Sequence, residues 1–323
     1  MEKRALGASG LKIAPLAFGG NVFGWTVDSA AAIKLLDAFA EAGGNCVDTA
    51  DVYPNWVPGN KGGESEAIIG GWLKLRRNRN KMIVATKVGS PMGPNRKGLS
   101  RKYILKAAEA SLKRLQTDYI DLYQSHRDDR LTPPEETLEA YARLIKQGKV
   151  RAIGASNYTP DRLYGALKVS RERGLPAYAS LQTLYNLYDR SEYETGLEGL
   201  CLERGLGVLC YYSLASGYLS GKYRSEKDLA VSRRAGKVRE YLTPRGERIL
   251  RALDRASKET GATQATVALA WLIARPGITA AIASATNAGQ VAAMMKALRL
   301  KLEAGTLKAL DSASAYAIEL AEV

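Results

Sequence analysis

Four side chains able to move or hold a proton stand in order along the chain, each where a strand ends. Asp48 and Tyr53 lie in Asp48-Thr49-Ala50-Asp51-Val52-Tyr53, Lys87 in Ala85-Thr86-Lys87, and His126 in Tyr123-Gln124-Ser125-His126. His126 is the one histidine among 323 residues, so no metal site or serine relay can be built from several imidazoles. A carboxylate, a phenol, an ammonium and an imidazole at successive strand ends point instead to acid–base work at the mouth of an α/β barrel, where that architecture puts its chemistry.

The elements that must position them alternate from end to end. Short apolar or β-branched runs at 15–19, 45–49, 82–87, 119–125, 150–156, 178–183, 207–212 and 279–284 read as strands, and amphipathic stretches fill the spaces between them. Several helices announce their starts: Asp28 precedes 29–42, Ser100 precedes 101–115, and Pro133-Pro134 opens 135–147. Gly43-Gly44, Gly148 and Gly174 stand where a helix end favours a left-handed residue. Eight such units predict a single (β/α)8 TIM barrel over 1–323. Residues 1–14, with Gly7-Ala8-Ser9-Gly10 at their centre, read as an N-terminal β-hairpin covering the bottom of the barrel. A long polar segment at 215–242 follows the seventh strand and precedes a further helix at 264–275, and loops of that length on a catalytic face are usually functional.

Composition narrows the function classes. The net charge of +14 is spread through segments such as Arg76-Arg77-Asn78-Arg79 and Arg233-Arg234 without aromatic interleaving, so nucleic acid is not the expected partner. Attraction of an anionic cofactor or substrate is the better use of that field. The longest apolar run, 265–274, is about half of what spans a bilayer, and no signal peptide is read, so a cytoplasmic protein without membrane attachment is expected. Cys46, Cys201 and Cys210 lack metal-ligand spacing and read as buried thiols; no metal is expected. No Gly-x-Gly-x-x-Gly follows a strand, so any dinucleotide is held in some other way than in a Rossmann fold.

Taken with Gly154-Ala155-Ser156-Asn157 and Leu181-Gln182, the motifs around Asp48, Lys87 and His126 resemble the aldo-keto reductase superfamily over nearly the whole chain. The resemblance implies a catalytic tetrad of Asp48, Tyr53, Lys87 and His126. Reduction of an aldehyde or ketone needs a hydride on carbon and a proton on oxygen, and Tyr53 would supply the proton. A phenol with a pKa near 10 is poorly matched to neutral pH. At about 4 Å and an effective dielectric of about 20, Lys87 would favour the phenolate by roughly 4 kcal/mol, about three pKa units, which predicts titration near neutrality. Asp48 would keep Lys87 charged and oriented, and a neutral His126 would donate to the carbonyl oxygen.

The same resemblance implies the cofactor residues. Ser156, Asn157 and Gln182 would bind the nicotinamide carboxamide, and Tyr211 would stack on its ring. Ser213, in place of a commoner proline, would approach the pyrophosphate with Leu214, Ser216 and Lys222. Ser284, Thr286 and Gln290 would meet the adenosine end, where Gln290 replaces a common arginine. NADPH is the expected cofactor, with NADH left open. Phe23, Trp25 and Trp56 are expected to line a pocket for a small-molecule carbonyl substrate. Relatives in this superfamily also serve as channel-associated subunits, so a cofactor-binding regulatory or auxiliary subunit with little turnover is the alternative. Oligomeric state is not legible.

Overall fold

The computed structural model describes residues 2–231 and 233–316. Met1, Ser232 and residues 317–323, part of the expected 1–323 domain and, for Ser232, of the 215–242 segment, lie outside the described residues. Strands β1 (Arg4–Ala5) and β2 (Lys12–Ile13) form an antiparallel hairpin. The eight strands that follow are all parallel: β3 (Leu16–Gly19), β4 (Cys46–Asp48), β5 (Ile83–Val88), β6 (Ile120–Ser125), β7 (Val150–Ser156), β8 (Ser180–Leu184), β9 (Gly207–Tyr211) and β10 (Ile278–Ala283). They pair in chain order, and β10 returns to β3, closing the barrel. Each expected strand is present, with ends displaced by a residue or two.

Helices α1 (Ser29–Glu41), α2 (Glu64–Arg76), α3 (Arg101–Leu115), α4 (Pro134–Lys146), α5 (Pro160–Arg173) and α6 (Glu198–Arg204) succeed the strands in turn. The β9 crossover holds α7 (Ala235–Arg239), α8 (Pro244–Thr260) and α9 (Gln264–Ile273); α10 (Ala288–Ala297) and α11 (Ala304–Ala313) follow β10. The side chains of Asp28 and Ser100 accept from the backbone N–H groups of Ala31 and Tyr103, so the expected caps start α1 and α3. Gly174 ends α5 at φ 63°.

Two apolar layers follow from strand geometry. Outward residues pack against the helices, as with Val47, Val84, Tyr123 and Ile153. Inward residues form a smaller plug that includes Cys46, Ala85, Leu122, Ala152 and Leu209, closed from below by Leu6, Leu11 and Ile13 of the hairpin. Gly7 lets the hairpin dock: at φ 53°, a Cβ there would sit 2.0 Å from the Ala179 carbonyl oxygen at the foot of the barrel. Because strand side chains alternate with a period of two, the residue two beyond each plug residue faces the same interior, one layer higher. Cys46 is thus followed by Asp48, Ala85 by Lys87, Leu122 by Gln124 and Ala152 by Gly154. The barrel changes from apolar to polar in one step, at its C-terminal mouth.

Candidate active site

Lys87 is the centre of that polar layer. Its ammonium is fully buried and donates to Asp48 Oδ2 at 2.6 Å, to the Thr49 carbonyl at 2.8 Å and to the Tyr53 hydroxyl at 3.5 Å. Register accounts for the meeting: Asp48 pairs with Ala85, and Lys87 stands two residues beyond it on β5. Asp48 also accepts at Oδ1 from Gln182 Nε2 at 2.7 Å and Gln124 Nε2 at 3.5 Å. Carboxylate and ammonium are therefore both hydrogen-bonded, as a buried ion pair requires. Burial opposes the charge on Lys87, but Asp48 and Tyr53 together outweigh it and raise the pKa above that of an ordinary lysine. The ammonium stays charged.

The strand segments carrying this pair are anchored from outside. Thr49 donates to Ser65 Oγ at 2.8 Å, and Ser65 donates to the Gly20 carbonyl at 2.8 Å. Thr86 donates to Glu66 Oε1 at 2.6 Å, while Arg114 holds Glu66 Oε2 at 2.6 Å. Both networks run from the barrel to α2, so that helix sets the height of Asp48 and Lys87.

Tyr53 lies on the loop after β4, half-buried, with its ring in edge contact with His126 and with Trp56, each at 5.7 Å between centroids. Its pKa does not move toward neutrality, as expected from Lys87 alone. Removal from water raises it more than Lys87 lowers it, and the Asp48 carboxylate adds to the rise. Tyr53 therefore keeps its proton at neutral pH. His126 shifts the other way: burial, then the cations Lys87 and Arg127, hold its pKa well below that of a free imidazole. It is neutral, and its buried Nδ1 has no hydrogen-bond partner among the described residues.

The expected carboxamide residues gather beside it. Asn157 Nδ2 donates to the His126 carbonyl at 2.8 Å and to Ser156 Oγ at 3.1 Å, and the Tyr211 hydroxyl donates to Asn157 Oδ1 at 2.7 Å. Asn157 sits at φ 56°, a conformation asparagine tolerates better than most residues. Gln182 lies on β8 between β7 and β9, its amide nitrogen given to Asp48. A neutral imidazole with an unmet nitrogen and a cluster of hydroxyl and amide groups beside it match an uncharged polar ring substituent, so these residues fit the nicotinamide.

The stretch after β9 is shaped by its backbone: Tyr212, Ala215, Ser216 and Gly217 adopt φ of 52°, 47°, 57° and 96°. Such residues cluster where function over-determines the chain. Ser213 spends its hydroxyl on the Cys210 carbonyl at 2.8 Å, Leu214 is half-buried, Ser216 is buried, and exposed Lys222 lies 4.9 Å above the Tyr223 ring. At the expected adenosine end, the Ser284 hydroxyl faces two acceptors for its one hydrogen, the Gly19 carbonyl at 2.7 Å and Asn21 Oδ1 at 2.6 Å. Gln290 Oε1 accepts from the Thr286 amide and hydroxyl at 2.7 and 3.2 Å, and Asn287 caps α10. This polar helix N-terminus suits a phosphate.

Of the expected pocket residues, Trp25 and Trp56 meet edge to face at 5.8 Å and continue outward from Tyr53. Phe23 does not join them. It is fully buried and stacked on Phe18 at 5.4 Å, because it faces the α1 side of the barrel with Phe39. Sequence reasoning also passed over Thr49 and Gln124. Gln124 could have been found by counting two residues along from Leu122, whereas the Thr49 contact uses a backbone carbonyl and leaves no side-chain signal.

The Aldo/keto reductase family model matches residues 15–315. The chain belongs to the aldo/keto reductase family. Among its relatives, the Bacillus subtilis protein called uncharacterized oxidoreductase YrpG is 34% identical over 319 residues, 96% of this chain and 95% of the relative. A probable voltage-gated potassium channel subunit beta from Oryza sativa is 35% identical over 306 residues, 92% of this chain and 91% of the relative. Protein tas of Escherichia coli is 31% identical over 337 residues, 97% of each. Membership makes this aldo/keto reductase an oxidoreductase that uses a nicotinamide cofactor and acts on small carbonyl compounds. Among the described residues, no helix is long and apolar enough to cross a membrane.

Proposed function

We propose that this aldo/keto reductase is an NADPH-dependent reductase of aldehydes and ketones with Tyr53 as general acid. The observation that carries the reading is the fully buried Lys87 ammonium, held by Asp48 at 2.6 Å and placed 3.5 Å from the Tyr53 hydroxyl. Bound NADPH supplies the hydride. Tyr53 presents a proton at its hydroxyl, since its raised pKa keeps the phenol intact at neutral pH. As the proton leaves, Lys87 stabilises the phenolate, and Asp48 prevents Lys87 from turning away. Neutral His126 donates a hydrogen bond to the carbonyl oxygen and sets its angle. Ser156 and Asn157 would hold the carboxamide, and Tyr211 would stack on the nicotinamide ring. The net charge of +14 and the polar N-terminus of α10 support the phosphorylated cofactor.

Loss of NADPH absorbance is to be followed over a panel of aldehydes and ketones, with Tyr53→Phe in parallel. Turnover by the wild type and a drop of about 10²- to 10⁴-fold in the variant, with its fold kept, are expected. Equal rates in both would remove Tyr53 as the acid. Similarity to the rice channel-subunit relative supports a second reading, a cofactor-binding auxiliary subunit. That reading requires tight NADPH binding without turnover of any carbonyl.

A further inference from the structure

A cavity of about 180 Å³ opens at the end of the barrel away from the tetrad, where β8 and β9 begin, between the N-terminal hairpin, α5 and the turn that ends α6. Ala8, Leu167, Ala177 and Leu206 give it an apolar lining, and Tyr178 adds its ring. The Tyr178 hydroxyl is spent elsewhere, 2.8 Å from Ser125 Oγ and 3.1 Å from the Tyr158 hydroxyl. Backbone donors are spent as well: the N–H groups of Ala179, Gly205 and Leu206 donate to the carbonyls of Ile153, Leu202 and Cys201. The interior offers contact area and few hydrogen bonds. Charge sits at the rim, where three cations, Lys168, Arg171 and Arg204, line the cavity and no carboxylate does. Arg204 is already committed, to Glu203 at 3.1 Å and over the Tyr164 ring at 5.4 Å. Lys168 has an exposed pairing with Glu172 at 3.9 Å. The Arg171 side chain is exposed, and among the described residues it has neither an ion pair nor a hydrogen bond.

We propose that this cavity binds a small anionic ligand, a single-ring aromatic carboxylate, with its ring inside and its carboxylate at Arg171 and Lys168. Size argues for one ring, since an apolar protein cavity of about 150 Å³ holds one benzene molecule. The paired backbone argues against a sugar or another ligand rich in hydroxyls, whose groups would be buried without partners. Charge selects the head group. A guanidinium matches a carboxylate with two parallel N–H···O contacts, and Lys168, one turn earlier on the same face of α5, adds a point charge. The inference stands independently of the reductase reading. None of these residues belongs to the tetrad or to the expected cofactor set, so the occupant displaces neither substrate nor cofactor.

The test is isothermal titration calorimetry of benzoate into the full chain, with and without NADPH. Benzyl alcohol and acetate serve as probes that keep only the ring or only the charge. Saturable binding of a single benzoate per chain is expected, with both control probes weaker by about tenfold or more. Arg171→Gln, at an exposed position, should keep the fold and weaken benzoate about threefold to tenfold, the effect of one partly exposed charge-assisted contact. Arg171→Lys should recover part of that loss. Ala177→Trp, which fills the cavity from an exposed position, should abolish binding, while NADPH and Tyr53→Phe should leave it unchanged. Equal affinity for benzyl alcohol would remove the anionic ligand and overturn the proposal. Benzoate binding that survives both Arg171→Gln and Ala177→Trp, or that falls with NADPH or in Tyr53→Phe instead, would put the ligand elsewhere and overturn it as well. Absence of saturable benzoate binding overturns it outright.

Discussion

The corner around Lys87 and the connection after β9 are built in opposite ways. In the corner, side chains do the work and the backbone is ordinary strand: Lys87 and Asp48 are buried, paired and braced by Gln182 and Thr49. In the connection the backbone does the work. Left-handed residues at 212, 215 and 216 fold it tightly, and two of its cations, exposed Lys222 and half-buried Arg234, lie over the Tyr223 and Trp25 rings. The difference is one of replaceability. A group in the corner cannot be removed without stranding a partner, whereas an exposed group on the connection such as Lys222 can be exchanged with little cost to the fold.

Lys87→Met should break this contrast most severely if it holds. It leaves the Asp48 carboxylate buried without its cation, which costs about 3 to 5 kcal/mol, seen as a lower urea midpoint. Activity should fall by about 10³-fold or more at the same time. A variant that is inactive but fully stable would mean the pair is not coupled to the fold. Lys222→Ala is the matching change on the connection: unchanged stability and a rise in KM for the cofactor of several-fold, following loss of one exposed phosphate contact.

A second carboxylate in the same loop sharpens the comparison. Asp51 is buried, neither of its oxygens has a partner among the described residues, and burial, with the nearby Glu66 carboxylate, pushes its pKa up to about 8. Its folded pKa lies above the unfolded one, so its contribution is whole at acid pH and is lost as pH rises from about 4 through 8. Asp51→Asn should therefore be more stable than the wild type above pH 8 by on the order of a kcal/mol or more, and the gap should vanish toward pH 4. A gap in Tm that stays constant with pH would show that Asp51 does not titrate in this range.

The smallest effect concerns pH and rate. Tyr53 keeps its proton because its pKa is raised, and His126 stays neutral because its pKa is lowered, so neither changes charge near neutrality. Reductive kcat/KM should be nearly flat between about pH 6.5 and 9. A clear rise toward acid with a midpoint near 7 would restore the neutral-titrating phenol expected from Lys87 alone.

Much of the molecule was legible in advance because it depends on local pattern. Eight apolar runs, capped helices and a glycine-bearing hairpin are short-range facts, and the closed barrel answers to them. Asp48, Lys87 and Gln124 could also be placed on one inner layer, since alternation along a strand is strict. Other features were not legible. The direction of the Tyr53 shift required knowing how much water the barrel mouth excludes, a sum over residues from many strands. Phe23 reads like a pocket aromatic beside Trp25, yet its backbone turns it toward Phe18 and Phe39.

What this sequence determined by itself was the kind of chemistry: proton-handling side chains at strand ends, with spacing that can only bring them to one barrel mouth. Tertiary structure decided how that chemistry is tuned and what surrounds it. It set the burial that raises Tyr53 and silences His126, left Asp51 without a partner, and brought Arg234 against Trp25 across 209 positions of chain. The physical reason is range. Pattern and propensity act over a few residues, whereas desolvation and long-range contact exist only once the barrel has closed.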